Sequence, residues 1–149
     1  MQKYHYTECG LDNIYLLNGF EVMTFEDEQV VSVHNTEGLH LAIGTDILNK
    51  TSLLNGQELR FLRKEMGLSQ KELAALFGKT DQTVANWEKG DSMQAQSDDI
   101  VIRLRYAAHI QANKDICDVL TRLALDEIER LERIFTEEND SWEQMPLAA

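Results

Sequence analysis

The run from Leu68 to Gly90 constrains this chain more than any other stretch, because it holds two short apolar periodicities separated by a glycine, each with its own start and stop signals. Ser69 stands three residues before Glu72, the spacing at which a hydroxyl and a carboxylate cap each other's backbone across the first turn of a helix. Leu73, Ala74, Leu76 and Phe77 supply one apolar face, and Gly78 stops it. A second helix is predicted from about Asp81, with Val84, Ala85 and Trp87 available for packing, Gln82, Thr83 and Asn86 facing outward, and Gly90 closing it. Helices this short do not hold alone in water, so they must pack on neighbours.

Those neighbours are legible on both sides. Asn55 or Gly56 starts a helix through Glu65, whose apolar positions Leu59, Phe61, Leu62 and Met66 recur at spacings of three and four before Gly67. Downstream, Ser97 is expected to cap a helix opening on Asp98 and Asp99, acids suited to the positive end of a helix dipole. Its apolar residues include Ile100, Val101, Leu104, Ala107 and Ala108. The predicted centre is a small all-helical bundle.

Residues 56–110 resemble the XRE family, the lambda repressor and Cro-like helix-turn-helix regulators. The likeness is carried by Leu59-Arg60-Phe61-Leu62-Arg63, Leu68-Ser69-Gln70, Glu72-Leu73-Ala74, Gly78, Val84 and Trp87-Glu88-Lys89-Gly90. It implies a double-stranded DNA partner, with the second helix of the pair lying in the major groove and its N-terminal residues meeting base edges. The base-reading candidates are then Gln82, Thr83, Asn86 and Asp81. Amides such as Gln82 and Asn86 donate to and accept from adenine at once, whereas Asp81 either accepts from a cytosine amino group or serves as a helix cap. The phosphate-contacting candidates are Gln70, at a helix start with free backbone N–H groups, Lys71, Lys79, Thr80 and Lys89, with Arg60 or Arg63 beside them. Long basic side chains on a helix also read as ordinary solvated surface. Trp87 is assigned to the core, and Glu88 to a salt bridge with an arginine of the first helix, such as Arg63.

Charge opposes indiscriminate binding to nucleic acid. The chain carries 14 Lys and Arg against 26 Asp and Glu, for a net charge of -12. Residues 1–50 hold two bases against eight acids and residues 98–149 six against twelve, while residues 51–97 hold six of each. A neutral centre between acidic flanks predicts salt-sensitive affinity that rests on pairing of two subunits and on specific contacts rather than on bulk attraction to phosphate.

The remaining composition excludes other classes. Cys9 and Cys117 form no CxxC pair, so no metal site is written in the spacing, and no cofactor is expected. Convergence of His5, Cys9, His34 and His40 on a metal would need an accident of the fold. No nucleophile and base motif, phosphate loop or metal triad appears, so the chain is not read as an enzyme. No apolar run reaches membrane length, and the polar opening Met1–Glu8 lacks the apolar centre of a signal peptide, so no membrane partner and a cytoplasmic location are expected.

The first fifty residues read as a small α+β unit. Asn18-Gly19 between Ile14–Leu17 and Phe20–Met23 predicts a hairpin, Glu26-Asp27-Glu28 an acidic turn, Val30–His34 a further strand, Tyr4–Thr7 another, and Thr36–Leu48 a helix. The wording from Tyr4 to Gly19 is similar to the segment preceding the helix-turn-helix in regulators related to MqsA-type, or YgiT-type, antitoxins. That resemblance implies a cognate toxin protein as a partner, although the paired-cysteine zinc module such antitoxins often add has no counterpart here.

In the last third, Ile116, Leu120, Leu123, Leu131 and Ile134 give a heptad-like stripe, interrupted at Glu127 with Ile128 beside it, that predicts a long helix over 113–138, able to pack internally or to form a homodimer. The tail 139–149 is expected to be flexible. The predicted fold class is therefore mainly α: a lambda repressor-like helix-turn-helix bundle over 51–112, a small N-terminal antiparallel sheet plus helix over 1–50, and a long C-terminal helix. The function read from the sequence is a sequence-specific DNA-binding transcriptional regulator, a repressor by preference and an antitoxin-like autoregulator by resemblance. The alternative is a protein-interaction module, an antitoxin or adaptor, in which the helical unit is scaffold only.

Overall fold

A computed structural model describes residues 3–90, 95–111 and 135–144. Two short strands, β1 (Tyr4–His5) and β2 (Tyr15–Leu16), pair antiparallel, followed by a hairpin of β3 (Phe20–Phe25) and β4 (Glu28–Val33). Five helices follow: α1 (Thr36–Asn49), α2 (Gly56–Glu65), α3 (Gln70–Ala75), α4 (Asp81–Glu88) and α5 (Gln96–Ile110). A last hairpin joins β5 (Phe135–Glu138) to β6 (Ser141–Gln144).

Local chemistry accounts for the helix boundaries. Asn55 and Glu58 cap α2 reciprocally, the Asn55 side chain accepting from Glu58 N at 2.8 Å and Glu58 Oε1 accepting from Asn55 N at 2.9 Å. Ser69 and Glu72 do the same for α3, at 3.0 and 3.1 Å. Between α3 and α4 the chain turns through Gly78 at φ +61, a left-handed conformation that a side chain disfavours. Helix α5 starts at Gln96 with Ala95 as its N-cap and no side-chain cap, so Ser97 lies within the helix rather than before it.

Leu54, Leu59, Leu62, Leu73, Val84, Ile102 and Tyr106 are the largest fully buried side chains, drawn from four helices and the segment before α2. Tyr6, Leu11, Ile43 and Ile47 continue the same core into the loop between β1 and β2 and into α1. Helix α5 buries Ala108 as expected and half-buries Val101 and Ala107, but not Ile100 and Leu104. Ile102, Tyr106 and Ala108 point inward while Ile100 and Leu104 are 48% and 59% exposed. The physical reason is Asp99, which is buried because its carboxylate accepts from Leu54 N at 2.7 Å and lies 2.8 Å from Arg103 Nε. Arg103 in turn donates to the carbonyls of Leu48, Lys50 and Ser52, tying the end of α1 and the following loop to α5. A polar clamp thus sets the rotation of this helix, against the reading from apolar residues alone.

The predicted fold class requires correction at both ends. The expected long helix does not extend to residue 138: Phe135–Glu138 is a strand, and the C-terminal described segment is a β-hairpin. Asn139 and Asp140 adopt φ of 54 and 61, the left-handed pair that a two-residue primed turn demands, and Phe135, Thr136 and Trp142 are strand formers. The heptad residues Ile116 to Ile134, with Cys117 and Pro146, lie outside the described residues.

At the N-terminus there are two separate two-stranded sheets rather than one. Asn18-Gly19 does not form a hairpin. Leu16 pairs back to Tyr4, and the hairpin sits at Glu26-Asp27, whose φ values of 49 and 66 meet the primed-turn requirement without glycine.

Candidate nucleic-acid interface

Helix α4 is held by its far end. The Glu88 carboxylate accepts from Arg63 Nε at 2.7 Å and from Nη2 at 3.0 Å, and the third guanidinium nitrogen, Nη1, donates to Leu68 O at 3.0 Å. Their side chains are only 11% and 6% exposed, so the predicted Glu88 bridge exists and is a forked pair inside the bundle. Gln70 Nε2 joins it, donating to Glu88 at 3.3 Å. Gly56 N donates to Gly90 O at 3.0 Å, and a β-carbon at Gly56 would run into the backbone carbonyls of Trp87 and Glu88. Trp87 packs edge-on against Phe77 with ring centroids 5.2 Å apart, a core position.

With α4 fixed in this way, Val84 points inward and Asp81, Gln82 and Asn86 are exposed, with Thr83 half-buried. Gln82 Nε2 donates to Asn86 Oδ1 at 3.1 Å, one turn on, so the two amides form a pre-ordered pair on the exposed face. Sequence periodicity places them on one face but does not reveal this bond. The pair keeps free the Gln82 carbonyl and the Asn86 amino group. Asp81 Oδ1 accepts from the N–H of Gln82 at 2.9 Å, and this carboxylate therefore serves the helix start. Thr80 is the N-cap residue but makes no side-chain cap bond. Its hydroxyl lies 3.4 Å from that of Thr83.

The phosphate candidates divide. Lys71, Lys79, Thr80 and Lys89 are exposed around the ends of α3 and α4. Gln70 is half-buried and its amide is committed to Glu88, which leaves its backbone N–H at the start of α3. Arg63 is consumed by the ion pair, whereas Arg60 is exposed on α2. Lys79 and Thr80 precede α4, Lys89 follows it, and Lys71 stands in the first turn of α3.

The histidines and Cys9 do not converge. His5 bonds Asp12 O at 2.7 Å, His34 lies 3.5 Å from Glu21, and His40 sits between Tyr6 and Glu65 at 2.9 and 2.6 Å. Among the described residues no group of three or more His, Cys, Asp or Glu side chains is placed to hold a metal ion, and no helix is long and apolar enough to cross a membrane.

Residues 59–104 match the family described as Helix-turn-helix, a span that runs from within α2 to the middle of α5. No curated protein and no solved structure matches the chain. The family match does not include Tyr4–Gly19, the segment that carries the antitoxin resemblance. Residues 59–104 are thus a helix-turn-helix domain of the XRE, or Cro-like, kind, a non-catalytic DNA-binding unit.

Proposed function

We propose that this protein is a sequence-specific transcriptional regulator that reads DNA with α4. The observation that carries the reading is the exposed Gln82–Asn86 amide pair on a helix locked from behind by Arg63 and Glu88. Two ordered amides one turn apart present donors and acceptors to base edges, while Lys71, Lys79, Thr80, Lys89 and the backbone at Gln70 take neighbouring phosphates. Thr83 supports the readout from the same face, and Asp81 acts mainly as the helix-start carboxylate.

Repression follows from this reading if the site overlaps a promoter, and autoregulation is proposed from the likeness to antitoxin regulators. A band-shift with the DNA upstream of the chain's own coding region tests both. The wild type is expected to bind and the Gln82→Ala plus Asn86→Ala variant to lose the shift. Equal binding by the variant would sink the readout.

Pairing of two subunits is proposed through surfaces that are apolar yet exposed: Val22, Met23, Phe25 and Val30 on the β3–β4 hairpin, or Ile100 and Leu104 on α5. A monomeric mass by light scattering at micromolar concentration would remove the dimer.

The second reading, a protein-interaction module, draws on the same hairpin, whose exposed apolar residues are rimmed by Glu21, Glu26, Asp27 and Glu28. A cognate toxin would dock there, and retention of partner capture by the Gln82→Ala plus Asn86→Ala variant would support that reading.

A further inference from the structure

A cleft of about 310 Å³ opens where the loop after β1 meets α1 and α2, away from the exposed face of α4. Its volume falls at the lower end of ligand sites, roughly 300–1,000 Å³. Phe61, largely buried, is its apolar lining on α2, and Cys9 and Gly10 line it from the loop after β1.

Four formally charged side chains line this cleft, and they are not equivalent. Glu8 accepts from the Tyr4 hydroxyl at 2.5 Å, a bond that holds its carboxyl below the usual carboxylate range. Glu65 is bonded to His40 Nδ1 at 2.6 Å, and His40 Nε2 is bonded to the Tyr6 hydroxyl at 2.9 Å. One oxygen of each acid is therefore engaged by a neighbour, Glu8 Oε1 by Tyr4 and Glu65 Oε1 by His40. Arg60 and Lys64, by contrast, make no hydrogen bond through their side chains and no ion pair among the described residues. They stand four residues apart on α2, with Gln57 one turn before Arg60 on the same side.

We infer that this cleft binds a small organic anion, a carboxylate or a phosphate monoester, with Arg60 and Lys64 holding its charge and Phe61 its apolar body. A planar guanidinium offers two parallel donors to either oxyanion, and a neighbouring ammonium adds a point charge. The ligand would touch the N-terminal unit through Cys9 and His40 and the DNA-binding unit through α2. The same helix reaches α4 through Arg63, so occupancy and DNA binding would be coupled through one rigid element. Arg60 is moved by this assignment from the DNA phosphate surface to a ligand site.

The full chain, isotopically labelled, is titrated with benzoate, with phenyl phosphate, and with benzyl alcohol as their uncharged counterpart. Backbone amide signals of Gly10, His40 and Phe61 are expected to shift saturably with one or both anions and not with the alcohol, and the tighter anion identifies the head group. The Arg60→Gln plus Lys64→Gln variant, with an unchanged melting temperature, is expected to weaken that binding at least about tenfold, the scale of losing a charge-assisted pair. Lys71→Gln plus Lys79→Gln is expected to leave it unaltered. No saturable shift with either anion, equal shifts with the alcohol, or loss only in the Lys71 and Lys79 variant would overturn the site. So would loss of ligand-free DNA binding in the Arg60 and Lys64 variant, because that result returns both residues to the phosphate surface.

Discussion

At the scale of single residues, stability should turn on a few buried polar groups. Removing one member of a buried ion pair leaves the other charge uncompensated, so Glu88→Gln is expected to cost about 3 kcal/mol by thermal melting. Arg63 has no other carboxylate partner among the described residues. Unchanged stability would mean that the fork carries no weight in the bundle. Burial also pushes the Tyr6 and Tyr106 phenols above the ordinary value of 10.0. In the unfolded chain these phenols ionise first, so the folded state releases protons later and stability falls as pH rises past 10. Below that pH the contribution is intact. Tyr6→Phe should flatten the alkaline decline, although it also removes the bond to His40, so the comparison is of slopes and not of melting temperatures at neutral pH.

At the scale of elements, what could be read from the sequence was whatever had a strong local cause. The Ser69–Glu72 capping box and the glycine before α4 follow from residue types at fixed spacings, whereas the Asn55–Glu58 box was not read and the Arg63–Glu88 pair, expected between two helices, spans 25 residues. The rotation of α5 did not, because apolar spacing pointed to Ile100 and Leu104 while Asp99 and Arg103, four residues apart, chose the other face. Turn chemistry misled at Asn18-Gly19, whereas the acidic turn at Glu26-Asp27 formed where it was expected. Asn18-Gly19 is the better hairpin dipeptide in isolation, yet the hairpins form at Glu26-Asp27 and Asn139-Asp140, where strand pairing outweighs the cost of non-glycine residues at positive φ. That cost is testable. Glu26→Asn plus Asp27→Gly is expected to raise hydrogen-exchange protection of the β3–β4 ladder about fivefold, equivalent to about 1 kcal/mol. A decrease would show that the acidic pair is not strained. Likewise Gly56→Ala should destabilise by about 2 kcal/mol, as overpacking does, because its β-carbon meets backbone rather than a movable side chain.

For the whole molecule, the candidate interface was legible as a helix face but not as an ordered unit. The Gln82–Asn86 bond, the commitment of Gln70 to Glu88 and the separation of Arg60 from Arg63 all depend on how the elements meet. The acidic chain, at -12 overall, carries a helix-turn-helix unit with Lys71, Lys79 and Lys89 exposed on α3, before α4 and after it. If these three lysines are the proposed phosphate contacts, the logarithm of affinity should fall against the logarithm of salt with a slope of about -3 per subunit, from about -0.9 for each neutralised phosphate. A much steeper slope would place further cations on DNA. The central claim is that α4 reads bases through its amide pair. Selection of bound sequences from a random duplex pool tests it most directly. The wild type is expected to enrich one motif, and the Gln82→Ala plus Asn86→Ala variant, with the same melting temperature, to lose that enrichment. Enrichment of the same motif by the variant to the same degree would contradict the account.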